Sequence, residues 1–245
     1  MHYKSIIIAI LVFCSFPIQD CYSATSAGST ASFVGGSFTA GLYTGYTYNH
    51  LHSLTGYRSF TEYRDGHGYV IGIPVGYLVT EWFTVQVEPS IIAKSYSLVR
   101  TDYAEGNEQN WRNTYLQLPL IAQFSFGGKK LRGFVNLGGY VGGWINSHTW
   151  GKYSETTSYL EDNKEYFYYF KENIKFNKER DNRFDGGLLI GLGLKYDFTH
   201  WGLFAEARYY YSLSDMQKNY MYGQVPRYND TYVFTVGATY KIGNR

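Results

Sequence analysis

The segment DGGLLIGLGLKYDF, Asp185 to Phe198, carries glycines that suggest a phosphate loop, leucines that suggest a membrane helix, and charge at both ends. Its spacing decides among these. With Phe184 before it, Gly186, Leu188, Ile190, Leu192, Leu194, Tyr196 and Phe198 share one phase of a period-two pattern. Asp185, Gly187, Leu189, Gly191, Gly193, Lys195 and Asp197 share the other, and Leu189 alone breaks the polarity. A helix would mix Lys195 and Asp197 into the apolar face, whereas a strand separates them. A dinucleotide fingerprint needs strand, glycine turn and helix in that order. Here the glycines lie inside the strand, where they relieve crowding or permit curvature.

The same alternation recurs over Tyr69–Val79, Phe83–Ala93, Leu116–Phe126, Val135–Ile145, Leu203–Leu213 and Tyr232–Ile242. A first strand near Phe33–Tyr48 puts Val34, Phe38, Ala40, Leu42 and Tyr46 on one face, making eight strands. Short connections (Thr80–Trp82, Gly127–Lys130, Thr199–Gly202) alternate with long polar and aromatic ones (Asn49–Gly68, Val99–Asn113, Ser147–Arg183, Ser214–Asp230). An all-β, eight-stranded antiparallel up-and-down transmembrane β-barrel predicts this asymmetry, with short turns in the periplasm and long loops outside. An even strand count puts both termini in the periplasm. Lipid offers no hydrogen bonds, so every strand edge has to be paired and only closure achieves that. The apolar face then points outward, and Glu88, Lys94, Asp185, Lys195, Glu206 and Arg208 point into a lumen where opposite charges pair. At eight strands side chains about fill the interior, so the expectation is a plugged lumen, not a general pore. Pro74, Pro89 and Pro119 fall inside strands and each removes a ladder bond. Local bulges or water-satisfied carbonyls are the expected accommodation.

Composition agrees with a membrane barrel. The chain of 245 residues has 27 Gly, 27 Tyr and 20% aromatics but only 17% charged residues. A net charge of +2 gives no field for nucleic acid. Residues 1–23 read as a cleaved signal peptide: Lys4 is a positive n-region, and the apolar run Ile6–Phe16 falls short of the ~20 residues of a spanning helix. Cleavage after Ser23 fits, as does cleavage after Ala24 or Ala27. Residues 24–32 then form a short periplasmic segment and 33–245 the barrel. The two cysteines, Cys14 and Cys21, both lie in the leader. The mature chain is thus expected to lack disulfides and thiolate metal sites. Asp20 before Cys21 argues against lipidation.

Four stretches, YLQLPLIAQFSFG, LRGFVNLGGYVGG, DGGLLIGLGLKYDF and LFAEARYYYSLSDM, resemble the PorT-like outer-membrane β-barrel family of the Bacteroidota. That family pairs an Ile-Pro-Leu-type strand with an Asp-Gly-x-x-x-Gly-x-Gly strand and a Glu-x-x-Tyr strand. The matching positions here are Leu118–Leu120, Asp185–Gly193 and Glu206–Tyr209, with leucine in place of the commoner isoleucine. The resemblance spans nearly the whole mature chain, and its motifs are short and structural. It implies an integral outer-membrane barrel among lipid and lipopolysaccharide, assembled by the BAM machinery. It does not imply one activity; the family's namesake assists protein secretion. The C-terminal TYKIGNR lacks the terminal aromatic common in barrels of other bacteria.

Candidate chemistry lies in the loops. His50, His52, His67 and His148 fall in or beside long loops, and His200 in a short turn. His148 beside Ser147, or His67 with Asp65 and Glu62, could serve a lipid A-modifying or protease-like site at the rim. Only geometry identifies such a site. Glu62, Asp65 and His67 offer too few oxygens for a hard-ion site, and neither metal nor cofactor is expected. Glu161–Arg183 interleaves six acidic and six basic residues with aromatics. Within it Tyr166, Phe167, Tyr168, Tyr169 and Phe170 suit protein or glycan contact, or a hairpin that extends the barrel wall. Trp82, Trp201, Tyr209, Tyr211, Tyr232 and Tyr240 are expected in interfacial girdles. The leading reading is a non-enzymatic barrel presenting an interaction surface, and the competing one a rim enzyme.

Overall fold

The computed structural model describes residues 37–53, 61–101, 105–154, 167–218 and 226–242, all within one compact unit, Phe33–Arg245. The leader, the segment 24–32 and the start of the first strand lie outside the described residues. Eleven strands follow in chain order: β1 (Ser37–Ser53), β2 (Thr61–Gly72), β3 (Val75–Leu78), β4 (Phe83–Val87), β5 (Ser90–Arg100), β6 (Glu108–Gly127), β7 (Leu131–Ser154), β8 (Phe167–Asn173), β9 (Phe184–Asp197), β10 (Trp201–Ser212) and β11 (Arg227–Ile242). β2 continues into β3 and β4 into β5, so with β8 set apart the sheet has eight staves. Every stave pairs antiparallel with its neighbours, and β1 pairs with β11 to close the ring. Closure leaves no barrel edge unpaired. Staves joined by the short connections pair right up to the turn, as at Gly202↔Asp197 and Gly127↔Arg132.

Alternation sorts the side chains as a barrel requires. Leu192, Leu194, Val236 and Leu120 are more than half exposed on the outer wall, while Asp185, Glu206, Arg208 and Lys94 are buried within. Leu189, the odd member of the opening segment, points inward and is 4% exposed. It packs in an aromatic and aliphatic cluster with Tyr140, Tyr210, Val233 and Ile121. Glycines of β9 make this fit. A Cβ on Gly193 would meet the Phe134 ring and the Ala205 carbonyl, and one on Gly191 would meet the Glu206 carboxylate.

The prolines correct one expectation. Pro74 and Pro89 interrupt their staves, whereas Pro119 stays within β6 opposite Tyr140. No bulge accompanies any of them: Gly72↔Ser90 and Val75↔Val87 keep one register across the break. Each proline carbonyl instead takes a backbone N–H from the next stave, Gly41 to Pro74, Ile73 to Pro89 and Glu88 to Pro119, all at 3.0 Å. The three therefore lie side by side across adjacent staves, and each missing donor is confined to one level. The bulges occur elsewhere, between Asp65 and Val70 and between Thr114 and Tyr115.

The long connections are also more ordered than alternation suggested. β1 runs on to Ser53, β6 begins at Glu108 and β7 reaches Ser154, where β8 pairs with it from His148↔Asn173 to Ser154↔Phe167. The staves therefore extend well past the apolar belt at the long-loop end, because polar residues such as Asn110, Gln109 and Thr149 hydrogen-bond across them.

Candidate functional site

The six inward charges predicted from sequence fall into three groups. Near mid-lumen, Arg208 donates from Nη1 to Glu88 Oε2 at 2.6 Å and from Nη2 to Glu206 Oε2 at 2.7 Å. Gln86 Nε2 donates to Glu88, and Asn136 Nδ2 to Glu206 Oε1 at 2.8 Å. Further along, Lys94 Nζ donates to Asp185 Oδ2 at 2.8 Å, and Gln117 Nε2 donates to the same oxygen at 2.7 Å. Lys195 joins neither; it lies near one end, 3.5 Å from Asp197 Oδ1. The first two groups are nearly sealed from solvent, with side chains at most 7% exposed. Such ions are tolerated only when paired and hydrogen-bonded.

Neutral groups link these two ionic levels. Tyr210 OH accepts from Arg208 Nη1 at 2.9 Å, Tyr210 meets Tyr140 edge-on at 5.1 Å, and Tyr140 OH donates to Asp185 Oδ1 at 3.4 Å. Lys94 Nζ also lies over the Tyr115 and Tyr140 rings, at 5.1 and 5.2 Å. Sequence reasoning singled out the charges and missed these aromatics. Their signal was present, since Tyr140, Tyr210 and Tyr43 all occupy the inward phase. A tyrosine there, however, cannot be told from a girdle tyrosine until the inward phase is matched to depth.

The long-loop end holds two further arrangements. Tyr153 stacks on Tyr168 at 5.6 Å and touches Phe170 at 6.2 Å, while Lys152 lies over Phe167 at 5.0 Å. Tyr169 is 80% exposed. Four of the five loop aromatics named from sequence are thus on β8, and Tyr166 lies outside the described residues. On the outer wall, His50 Nδ1 is 2.6 Å from Asp65 Oδ1, and Tyr48 OH donates to the other oxygen of Asp65. His67 Nδ1 meets Tyr46 OH instead. The sequence groupings do not assemble: Ser147 turns inward to Asn113 while His148 turns outward to Asn173, and Asp65 serves His50 and not His67. The β1–β2 register, Tyr48↔His67 and Asn49↔Gly66, brings His50 to Asp65. Among the described residues no group of three His, Cys, Asp or Glu side chains could hold a metal.

Aromatic pairs gather at both ends of the wall, Trp201 with Tyr240 at 5.1 Å and Tyr209 with Tyr232 at 4.8 Å. A closed eight-stave ring, apolar outside, ionic within and girdled by aromatics, defines an integral outer-membrane β-barrel protein. The chain belongs to the outer membrane protein beta-barrel domain family, which it matches over residues 24–218. Among solved structures it is similar to the outer membrane protein OprG from Pseudomonas aeruginosa, at 13% identity over 86% of this chain and 97% of that one, with a TM-score of 0.46. It is also similar to Neisserial surface protein A, at 12% identity over 84% and 97%, TM-score 0.40. The outer membrane protease OmpT from Escherichia coli is similar at 9% identity over 89% and 100%, TM-score 0.32. No curated protein matches the chain.

Proposed function

We propose that this is a non-enzymatic outer-membrane protein whose plugged barrel anchors a protein- or glycan-binding surface at the long-loop end. The carrying observation is the β7–β8 ribbon. Tyr168 is half exposed on one face, beside Tyr153, and Tyr169 is 80% exposed on the other. Exposed tyrosines on a hydrogen-bonded ribbon suit recognition, since large rigid rings lose little entropy on binding. The filled lumen fits an anchor better than a conduit. In this reading the short turns and both termini face the periplasm, and lipid, lipopolysaccharide and the BAM assembly machinery are the barrel's surroundings. A role beside protein secretion rests on the resemblance to the PorT-like family. A photo-reactive residue at Tyr168 in intact cells is expected to capture a discrete protein or glycan. Capture should disappear when Tyr153, Tyr169 and Phe170 are changed to serine. Capture of lipid alone would sink the proposal.

His50 and Asp65 favour a second reading, a hydrolase at the rim. A carboxylate 2.6 Å from Nδ1 orients an imidazole as a general base. The third member is Tyr48 and not a serine, so water would be the nucleophile. On this reading purified protein in micelles cleaves a lipid ester or a peptide, and His50→Ala lowers the rate by about 10²-fold or more. Equal rates for the two proteins would remove it.

A further inference from the structure

The short-turn end of the lumen opens into a cavity of about 460 Å³, a size typical of small-molecule pockets. We propose that this vestibule is an anion-binding site, shaped for a phosphate-bearing, hydroxylated solute of the sugar phosphate class. It is a blind pocket, with Phe134, Phe204 and Glu206 reaching into its deeper part. The site is independent of the loop surface.

Charge is unevenly placed around its mouth. Arg132 on β7, Lys195 on β9 and Lys241 on β11 all converge on Asp197, at 3.8, 3.5 and 3.4 Å. The deeper lumen pairs close at 2.6 to 2.8 Å. Three cations thus share one carboxylate at loose distances, and each keeps donors for another acceptor. In the adjoining turn the Lys130 carbonyl accepts the Asp197 N–H at 2.7 Å, which fixes the backbone of that carboxylate. Against Arg132, Lys195 and Lys241 stand Asp197 and Glu81 at the rim; Glu206 below is held by Arg208 and Asn136. The three cations outnumber these two carboxylates at the mouth, and a doubly charged phosphate accepts from several donors at once.

The opposite half of the ring is polar and, apart from Glu81 in the β3–β4 turn, uncharged. Ser37 on β1, Thr84 on β4, and Gln123 and Ser125 on β6 line the cavity. Among the described residues none of these four side chains hydrogen-bonds to a protein partner. A ligand spanning the lumen would meet lysines and arginine at one end and hydroxyl and amide groups at the other. Phosphate and sugar hydroxyls match that order.

The phosphate could belong to a free solute or to a lipid headgroup, and titration of the full-length mature protein in nanodiscs separates them. In phosphatidylcholine discs, glucose 6-phosphate is expected to bind saturably by calorimetry, more tightly than glucose or inorganic phosphate. The double change Lys195→Gln, Lys241→Gln should weaken binding about tenfold or more, the scale of one lost charge-assisted contact. Arginine at both positions should retain it, and Asp197→Asn should tighten it by removing the competing carboxylate. Heat-modifiable migration on gels verifies that each variant is folded. Absence of saturable binding, or equal affinity in the double variant, would overturn the proposal. So would binding seen only as retention of phosphatidylglycerol in anionic discs, which would make this a lipid-headgroup contact.

Discussion

Replacing Arg208 by leucine is expected to destabilise the barrel by about 3–5 kcal/mol, the cost of breaking a buried ion group by removing one partner. Glu88 and Glu206 both point at this guanidinium, and their side chains are 1% and 2% exposed. Without Arg208 two carboxylates would face each other across the lumen with, among the described residues, only Gln86 and Asn136 to donate to them. Unfolding in urea from detergent micelles, followed by heat-modifiable gel migration, measures the loss. Adding Glu88→Gln and Glu206→Gln to the leucine variant should recover much of it, because neutral amides remove the repulsion while keeping the shape. A leucine variant as stable as the parent would mean that the triad's ion pairing adds nothing net to the stability of the barrel.

Asp185→Ala should cost a similar amount, about 3–5 kcal/mol, for the complementary reason. Asp185 accepts from Lys94, Gln117, Tyr140, Ser212 and Ser214. Lys94 is 0% exposed and, among the described residues, pairs with no other carboxylate. Removing the aspartate would leave a buried ammonium over two tyrosine rings, whose cation–π attraction offsets only part of the loss. Asp185→Asn should cost less, since it keeps acceptors while losing charge. Combining Asp185→Ala with Lys94→Met should restore stability toward the parent, as neither charge remains. If the double variant were no better than the single one, packing and not charge would be what Asp185 supplies.

These two levels show how far the sequence could be read. Period two is a local property, so Asp185, Lys195, Glu206 and Arg208 could be assigned to the inner face from their immediate neighbours. Their partners could not. Arg208 reaches Glu88 across 120 residues, and Lys195 sits apart from the network it was grouped with. Which inward residues share a level depends on how far each stave is shifted against the next, and alternation is blind to that shift. The prolines failed for a related reason. Alone, each looks like a defect needing a bulge, but beside one another each carbonyl serves its neighbour without a change of register.

The amino-acid sequence by itself determined the class: alternation, alternating loop lengths and the need to pair every edge in lipid leave a closed barrel as the solution. It also determined the contents of the lumen, because a side chain's phase is set by its own strand. Tertiary structure alone decided the pairings, which require the ring to close at a particular stagger. It made Arg208 a bridge between two glutamates, brought His50 to Asp65, stood the β8 tyrosines on a ribbon, and gathered three cations around Asp197. DGGLLIGLGLKYDF, a membrane strand by its spacing, supplies through Asp185 and Asp197 one anchor to each of two ion groups it could not have revealed.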